Sequence, residues 1–464
     1  MRGEAAIGSA SRSEAATPIP TIDRGAWSIV HYISLGAGLV LILALQATQW
    51  FFFDEWAFIE LDGAGILEPH VGHWSTSPML VYELLRGTIG LHSYLPYAAL
   101  VTLIHLGVAH LIWRLALRSG ASGWAATGLS AVLIVFGAGA ENILWAFQIG
   151  FLGAVLLGLV SLLLATAPVV SWRRVVIIAL ISVLSLTWAG TAVPLVAATA
   201  LVLWRRRGLA AGLAYLVPVA SVYLVWYALF ALHSPSNPDT GGFAAEKLFI
   251  QIPLFLGVML VLGFSQILPL PGVAFALLAA VGVWLLVLAR RRRVPARMLP
   301  ALALAVAAAI FALLTAFSRA SFSLGGGQAS RYIYLLFALL LPLLAVALDA
   351  VVRWAGRRWV TAVVVAVVVS VTGYQAVLLV SAANRQAKAE QFSHGVLSAA
   401  LELYDDDSQA VDLDARPDPV AAPDLTMRDL VRIDEAGLLP EDDEISAEEL
   451  ATARENLGLA PADG

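Results

Sequence analysis

The chain has 464 residues, 60% of them hydrophobic and only 13% charged, with no cysteine. So little polar surface cannot cover a water-soluble protein of this size, and the chain reads as a polytopic membrane protein; the missing cysteines exclude disulfide scaffolds, thiolate metal sites, iron–sulfur clusters and cysteine nucleophiles. The net charge of −5 conceals a partition, since residues 382–464 carry 20 Asp/Glu against 6 Lys/Arg while residues 1–381 carry 13 against 22. An all-α protein is expected, with a cytoplasmic N-terminal segment (1–26), a membrane domain (27–381) and a soluble acidic C-terminal tail (382–464).

Residues 1–26, with Arg2, Arg12 and Arg24, lack the apolar core and cleavage site of a signal peptide, so the first span should be retained as an anchor. Apolar runs able to cross about 30 Å of hydrocarbon lie near 30–53, 95–117, 121–140, 143–168, 175–189, 190–204, 209–232, 271–289, 298–317, 332–351 and 359–381, eleven in all. Arginines cluster at 114/118, 173/174, 205–207, 290–293 with 297, and 353/357/358. Placing these and the N-terminus in the cytoplasm leaves only Arg86, Lys247, Arg319 and Arg331 of the membrane domain's 22 basic residues outside. The segment 175–204 then begins and ends inside, which predicts a short hairpin turning at Trp188-Ala189-Gly190. Residues 233–289 must cross an odd number of times yet hold two apolar stretches. The first, 248–268, is flanked or interrupted by Pro253, Pro269 and Pro271 and is read as re-entrant or interfacial. Eleven crossings put the C-terminus outside the cell, in an integral plasma-membrane protein.

The tail begins with a helical pattern over 384–404, passes a Pro/Ala/Asp linker from Arg416 to Pro423, and ends in two short helices whose starts are marked by Thr426/Asp429 and Ser446/Glu449. Its composition favours a solvated appendage over a substrate-contacting lid.

With this topology nine of the thirteen acids of the membrane domain lie outside, six of them in the first loop (54–94). Asp54 and Glu55 follow Trp50-Phe51-Phe52-Phe53 at the C-terminal end of the first span, where the helix dipole disfavours negative charge. Two readings fit: acids marking an interface beside an aromatic belt, or groups kept for chemistry. The loop continues through Glu68 to Pro78, a segment containing His70, His73 and Trp74, and into 79–91, whose apolar spacing predicts an amphipathic helix in the interface. His70 and His73 could join Asp54 or Glu55 around a divalent metal, with Glu55 and His73 the candidate ligands; polar packing at the interface is the competing reading. Glu141, Asn142, Trp145 and Gln148 converge on the same face, as do Arg331-Tyr332 and Arg319. An arginine at the membrane boundary suits a phosphate at headgroup level, whether of a substrate or of bulk lipid. No Asp, Glu, Lys or Arg sits mid-span, and His105 and His110 are read as packing histidines. There is no Walker A sequence, no dinucleotide glycine fingerprint and no indication of nucleic-acid binding.

An acidic pair directly after the first span, a large first outer loop carrying His70 to Pro78, hairpin-like spans and basic residues returning at the outer face make the chain resemble a polytopic glycosyltransferase of the GT-C fold. The His-Pro-Pro run usual in that loop is absent, with His73-Trp74 and Pro78 nearby. The resemblance implies a sugar donor on a polyprenyl phosphate and an acceptor hydroxyl on an envelope glycan, lipid or protein. It implies Asp54 as general base for inverting transfer, Glu55 orienting the acceptor or holding a metal, Arg331 and Arg319 on the donor phosphate, and His70, His73, Trp74, Glu141, Gln148 and Tyr332 around the pocket. The competing class is a non-catalytic lipid or polysaccharide transporter or an envelope assembly protein. A transporter calls for polar groups along a cytoplasmic route, which the spans lack.

Overall fold

The structure is a computed structural model that describes residues 25–59, 65–235, 242–270, 272–440 and 445–460. The expected N-terminal segment up to residue 24 and the loop acids Glu60 and Asp62 lie outside these described residues.

The first apolar run forms α1 (Ala26–Gln46) and stops short of residue 53. The reason is polar: Gln46 is fully buried, donates to the Ile143 carbonyl at 2.9 Å and accepts from Thr102 Oγ1 at 2.7 Å, and residues 47–52 continue as a turn and irregular chain. A one-turn helix α2 (Trp56–Ile59) follows, then a hairpin of β1 (Pro69–His70) and β2 (His73–Trp74) that the all-α expectation did not include. The hairpin turns at Val71 (φ 47°) and Gly72 (φ 78°), the left-handed pair that a two-residue turn demands. The expected interfacial helix is α3 (Thr76–Ile89): Pro78 and Tyr82 are buried on one side while Leu80, Leu84 and Ile89 stay exposed.

The bundle proper is α4 (Leu95–Arg118), α5 (Gly123–Ile134), α6 (Ala140–Leu144), α7 (Ile149–Ala165), α8 (Trp172–Leu186), α9 (Ala192–Arg207) and α10 (Leu209–Trp226). It is completed by α11 (Ile252–Gly257) within a 17-residue helical stretch 247–263, α12 (Val273–Arg290), α13 (Leu299–Arg319), α14 (Ser330–Ala355) and α15 (Arg358–Asp406). The run 121–140 is not one helix: it breaks after α5 and bends by 49°. Gly137 sits where a Cβ would come within 2.4 Å of the α15 backbone. Gln375 of α15 accepts from the Ala138 amide at 2.8 Å and donates to the Gln266 and Ile267 carbonyls, so one buried amide satisfies two backbone breaks, as hydrocarbon surroundings require. His105 is satisfied by Tyr334 and the Ile134 carbonyl, as expected of a packing histidine, and His110 pairs with His31 of α1, a partner not anticipated.

Helices occupy all eleven expected spans. By length and composition seven of the described helices can cross a membrane, or eight with the bent pair. The helices α8 and α9, of 15 and 16 residues, are shorter than the hydrocarbon thickness and pack on α7 as the expected hairpin, turning at 187–191. The protein is an integral, multi-pass membrane protein.

The expected boundary at 381 has no structural break, because α15 runs on for 49 residues, about 73 Å at 1.5 Å per residue. Its C-terminal half is covered by α16 (Met427–Glu435) and α17 (Ala447–Asn456), each starting at the capping box read from the sequence. The tail is a packed layer, with Leu425, Met427, Leu430 and Ile433 buried against the rest of the protein, and not the solvated appendage that its composition suggested.

Candidate active site

The arginine clusters gather at one end of the bundle. Arg118 caps the C-terminus of α7 through the Leu163 carbonyl (2.6 Å), and Arg206 bonds the Ala165 and Ala167 carbonyls (3.0 and 2.7 Å). At the opposite end a cavity of about 740 Å³ lies just beyond the end of α1, beside the hairpin, the α8–α9 turn, the end of α13, the start of α14 and the middle of α15.

The acidic pair divides at this point. Asp54 lines the cavity, half-buried, and burial raises its pKa to about 6; Asp424 of the tail pushes the same way, while Arg331 and Arg319 oppose. Glu55 turns inward. It is fully buried, accepts hydrogen bonds from Tyr82 (2.6 Å), Tyr94 (3.2 Å) and the Phe52 amide (2.9 Å), and burial lifts its pKa to about 8 against those bonds. Glu55, expected to orient the acceptor or hold a metal, does not line the cavity; it braces the turn that carries Asp54. Phe53, between α1 and Asp54, adopts φ 55°, a left-handed conformation that costs a non-glycine residue about 1–2 kcal/mol. Its amide donates to the Ala421 carbonyl of the tail at 2.6 Å.

Arg331 and Arg319 both reach the cavity, as does Glu141. Arg331 donates to Glu141 at 2.9 Å and lies 5.1 Å over the ring of Tyr332, so one of the two cations is already paired. A third cation, Arg385 of α15, lines the same space and was not anticipated. Its signal is present in the sequence, a basic residue three before Lys388 at the start of an acidic tail, but only the continuation of α15 past 381 carries it to the cavity. Gln386 and Glu390 of the same helix are cavity residues too; Glu390, fully buried, holds the Trp50 amide at 3.1 Å and accepts from Gln386 at 2.7 Å.

The hairpin brings His70 and His73 together as cross-strand partners, both in the cavity wall. Burial lowers both imidazoles, His73 to about 4 with help from Arg319, so both are neutral at pH 7. No group of three His, Asp or Glu able to hold a metal occurs among the described residues, and the expected Glu55–His73 pair does not form. Trp74 and Tyr332, expected around the pocket, do not line the cavity: Trp74 stacks on Trp226 at 4.9 Å, and Tyr332 is buried beneath Arg331. Gln148 does line it. Its Oε1, His70 Nε2 and Trp188 Nε1 are buried in the wall without a hydrogen-bond partner. These three wall atoms are free to bond a polar ligand in the cavity.

The fold is of the GT-C class that the sequence resembles. The solved structure that shows it is the crystal structure of ArnT from Cupriavidus metallidurans bound to undecaprenyl phosphate: 16% of residues are identical, the likeness covers 93% of this chain and 88% of that one, and the TM-score is 0.51. At this identity the likeness establishes the fold. No protein-family model and no curated protein matches the chain.

Proposed function

We propose that the protein is a membrane glycosyltransferase that moves a sugar from a polyprenyl-phosphate donor to an acceptor hydroxyl, at the outer face of the plasma membrane. The observation that carries this reading is the placing of Asp54 opposite Arg331 and Arg319 in one cavity of about 740 Å³, at the bundle end away from the arginine clusters. The solved neighbour of the same fold holds undecaprenyl phosphate, the phosphate-headed lipid that such a donor would release.

The chemistry follows from the groups present. Asp54 accepts the proton of the acceptor hydroxyl as that oxygen forms its bond to the anomeric carbon. The bond from the anomeric carbon to the phosphate oxygen breaks, its electron pair leaves with the lipid phosphate, and the configuration inverts. Arg319 and Arg331 neutralise the charge growing on the departing phosphate. A lipid-borne donor suits a cavity at the membrane boundary and needs no nucleotide-binding fold. Neutral His70 and His73, with Gln148, supply hydrogen bonds to sugar hydroxyls without competing for the phosphate.

The test is incubation of the purified protein in lipid nanodiscs with radiolabelled polyprenyl-phosphate sugars and a cell-envelope extract as acceptor. Transfer by the wild type and its loss in Asp54→Asn, with lipid phosphate still bound by the variant, supports the reading. Transfer at wild-type rate by folded Asp54→Asn removes Asp54 as the base.

A further inference from the structure

The acid at the cavity is held from outside the membrane domain. Asp418, in the linker between α15 and α16, is almost fully buried, and both its carboxylate oxygens are used within the protein. Oδ2 accepts from Ser393 of α15 at 2.7 Å, and Oδ1 accepts from the amides of Val420 (3.2 Å) and Ala421 (2.9 Å). Its own carbonyl accepts from the Ala422 amide at 2.8 Å. A buried carboxylate with this many donors builds a rigid turn over 418–422. The turn is pinned on its other side by Asn456 of α17, which donates to the Pro417 carbonyl at 2.8 Å.

Two outputs of that turn face the cavity. Val420 projects into it, 80% exposed, and the Ala421 carbonyl takes the amide of Phe53, the strained residue directly before Asp54. A left-handed phenylalanine persists only where its surroundings impose it. The imposing contact on its amide is this bond, and behind the bond stands Asp418.

We propose that Asp418 is a positioning residue for the cavity acid: latched by Ser393, it sets the 418–422 turn, whose Ala421 carbonyl holds Phe53 left-handed and so aims Asp54 into the cavity. The tail thereby becomes a working wall of the site. This deepens the reading of Asp54 as the general base and rests on it for the kinetic consequence, but the placement of residue 54 is measurable without any turnover.

The chain's lack of cysteine allows a direct readout. In full-length protein in nanodiscs, Asp54→Cys is labelled with a membrane-impermeant maleimide, alone and combined with Asp418→Ala. The combined variant is expected to label several-fold faster or slower than Asp54→Cys alone, because residue 54 has left its fixed pose; an unchanged rate overturns the proposal. In the kinetic arm, Asp418→Ala is expected to lower kcat roughly tenfold to a hundredfold with donor KM little changed, since misplacing a reacting group by about 1 Å has that scale. Asp418→Asn, which keeps one oxygen for the Val420 and Ala421 amides, should recover much of the loss.

Coupling to Phe53 separates aiming from mere stability. In a Phe53→Gly background, where the left-handed conformation no longer needs to be imposed, Asp418→Ala should cost several-fold less in kcat than it does in the wild type. Equal penalties in both backgrounds overturn the proposal. Ser393→Ala, which removes only the latch hydroxyl, carries the same comparison if Asp418→Ala does not yield a monodisperse folded protein. A changed labelling rate together with full turnover by Asp54→Asn would retain the strap and discard the base.

Discussion

The two ends of the helix bundle treat charge in opposite ways. At the arginine-rich end several cations are bonded within the fold: Arg118, Arg206 and Arg207 donate to carbonyls at and beyond the C-terminus of α7, and Asp349 is held by Ser122 and Arg353. At the cavity end Asp54, Arg319 and Arg385 face a shared space, and among the described residues only Arg331 of these cations is tied to a carboxylate, that of Glu141. A charge brought to the edge of hydrocarbon must be compensated. One end compensates with its own backbone, and the other leaves the compensation to whatever occupies the cavity. Charge alone therefore does not mark the site, since the arginine-rich end has more of it.

The largest effect that would test this contrast is at Asp54. Asp54→Asn keeps the shape of the side chain but cannot take a proton at neutral pH, and sugar transfer should fall by roughly 10²-fold or more with lipid-phosphate binding intact. Steady-state kinetics beside equilibrium binding check it. Next comes Arg331: alanine should weaken donor binding by about tenfold to a hundredfold, and lysine by less, because lysine keeps the charge and loses the planar fork. Equal, wild-type affinities in both variants would take Arg331 out of the site. A mirror experiment at the other end sharpens the comparison, for Arg206→Ala should cost about 1–3 kcal/mol of stability from uncapped carbonyls while leaving kcat within twofold. A loss of turnover there would erase the distinction between the ends.

Smaller effects lie in the pH dependence. If Asp54, its pKa raised to about 6, is the proposed base, it acts only when ionised, so kcat should climb as pH rises through about 6 and level off above it. Asp424→Asn removes the tail carboxylate that opposes ionisation of Asp54, which should move that midpoint to lower pH, with Arg331 and Arg319 pulling it in the same direction. The smallest effect is at Glu55. Its folded pKa of about 8 lies above the ordinary carboxylate value, so the stability contributed by its neutral form is present in acid and is lost as pH rises through about 8. Thermal melts of Glu55→Gln between pH 5 and 9 should be flatter than those of the wild type, with Glu390, raised to about 8 as well, supplying the slope that remains.

The difference between Asp54 and Glu55 shows what neighbouring residues of one chemical type conceal. Both stood out by position, against the dipole of α1, and nothing in the sequence distinguishes them. Tyr82 and Tyr94 lie 27 and 39 residues further on, and only the packing of α3 and α4 closes them on Glu55. The composition of the tail misleads for a related reason. Its acidity is real, but acidity reports the solvent side of a layer whose other side, Leu425 to Ile433, is buried. The capping boxes at Thr426 and Ser446 were legible because they are local, a side chain and an amide three residues apart.

What the amino-acid sequence determined by itself is the membrane class, the order of the apolar segments, the hairpin at Trp188–Gly190 and the separation of the arginine clusters from the carboxylates of the first loop. Each is a matter of composition or of spacing within a few turns of helix, where hydrophobic length and local hydrogen bonding leave little choice. Only the tertiary structure decided which acid faces the cavity, that α15 carries Arg385 and Glu390 to it, that a hairpin pairs His70 with His73, and that a turn near residue 420 holds Phe53 left-handed. Those are contacts between residues up to 368 positions apart, between Phe53 and Ala421, and their energies depend on burial and orientation that no local pattern encodes.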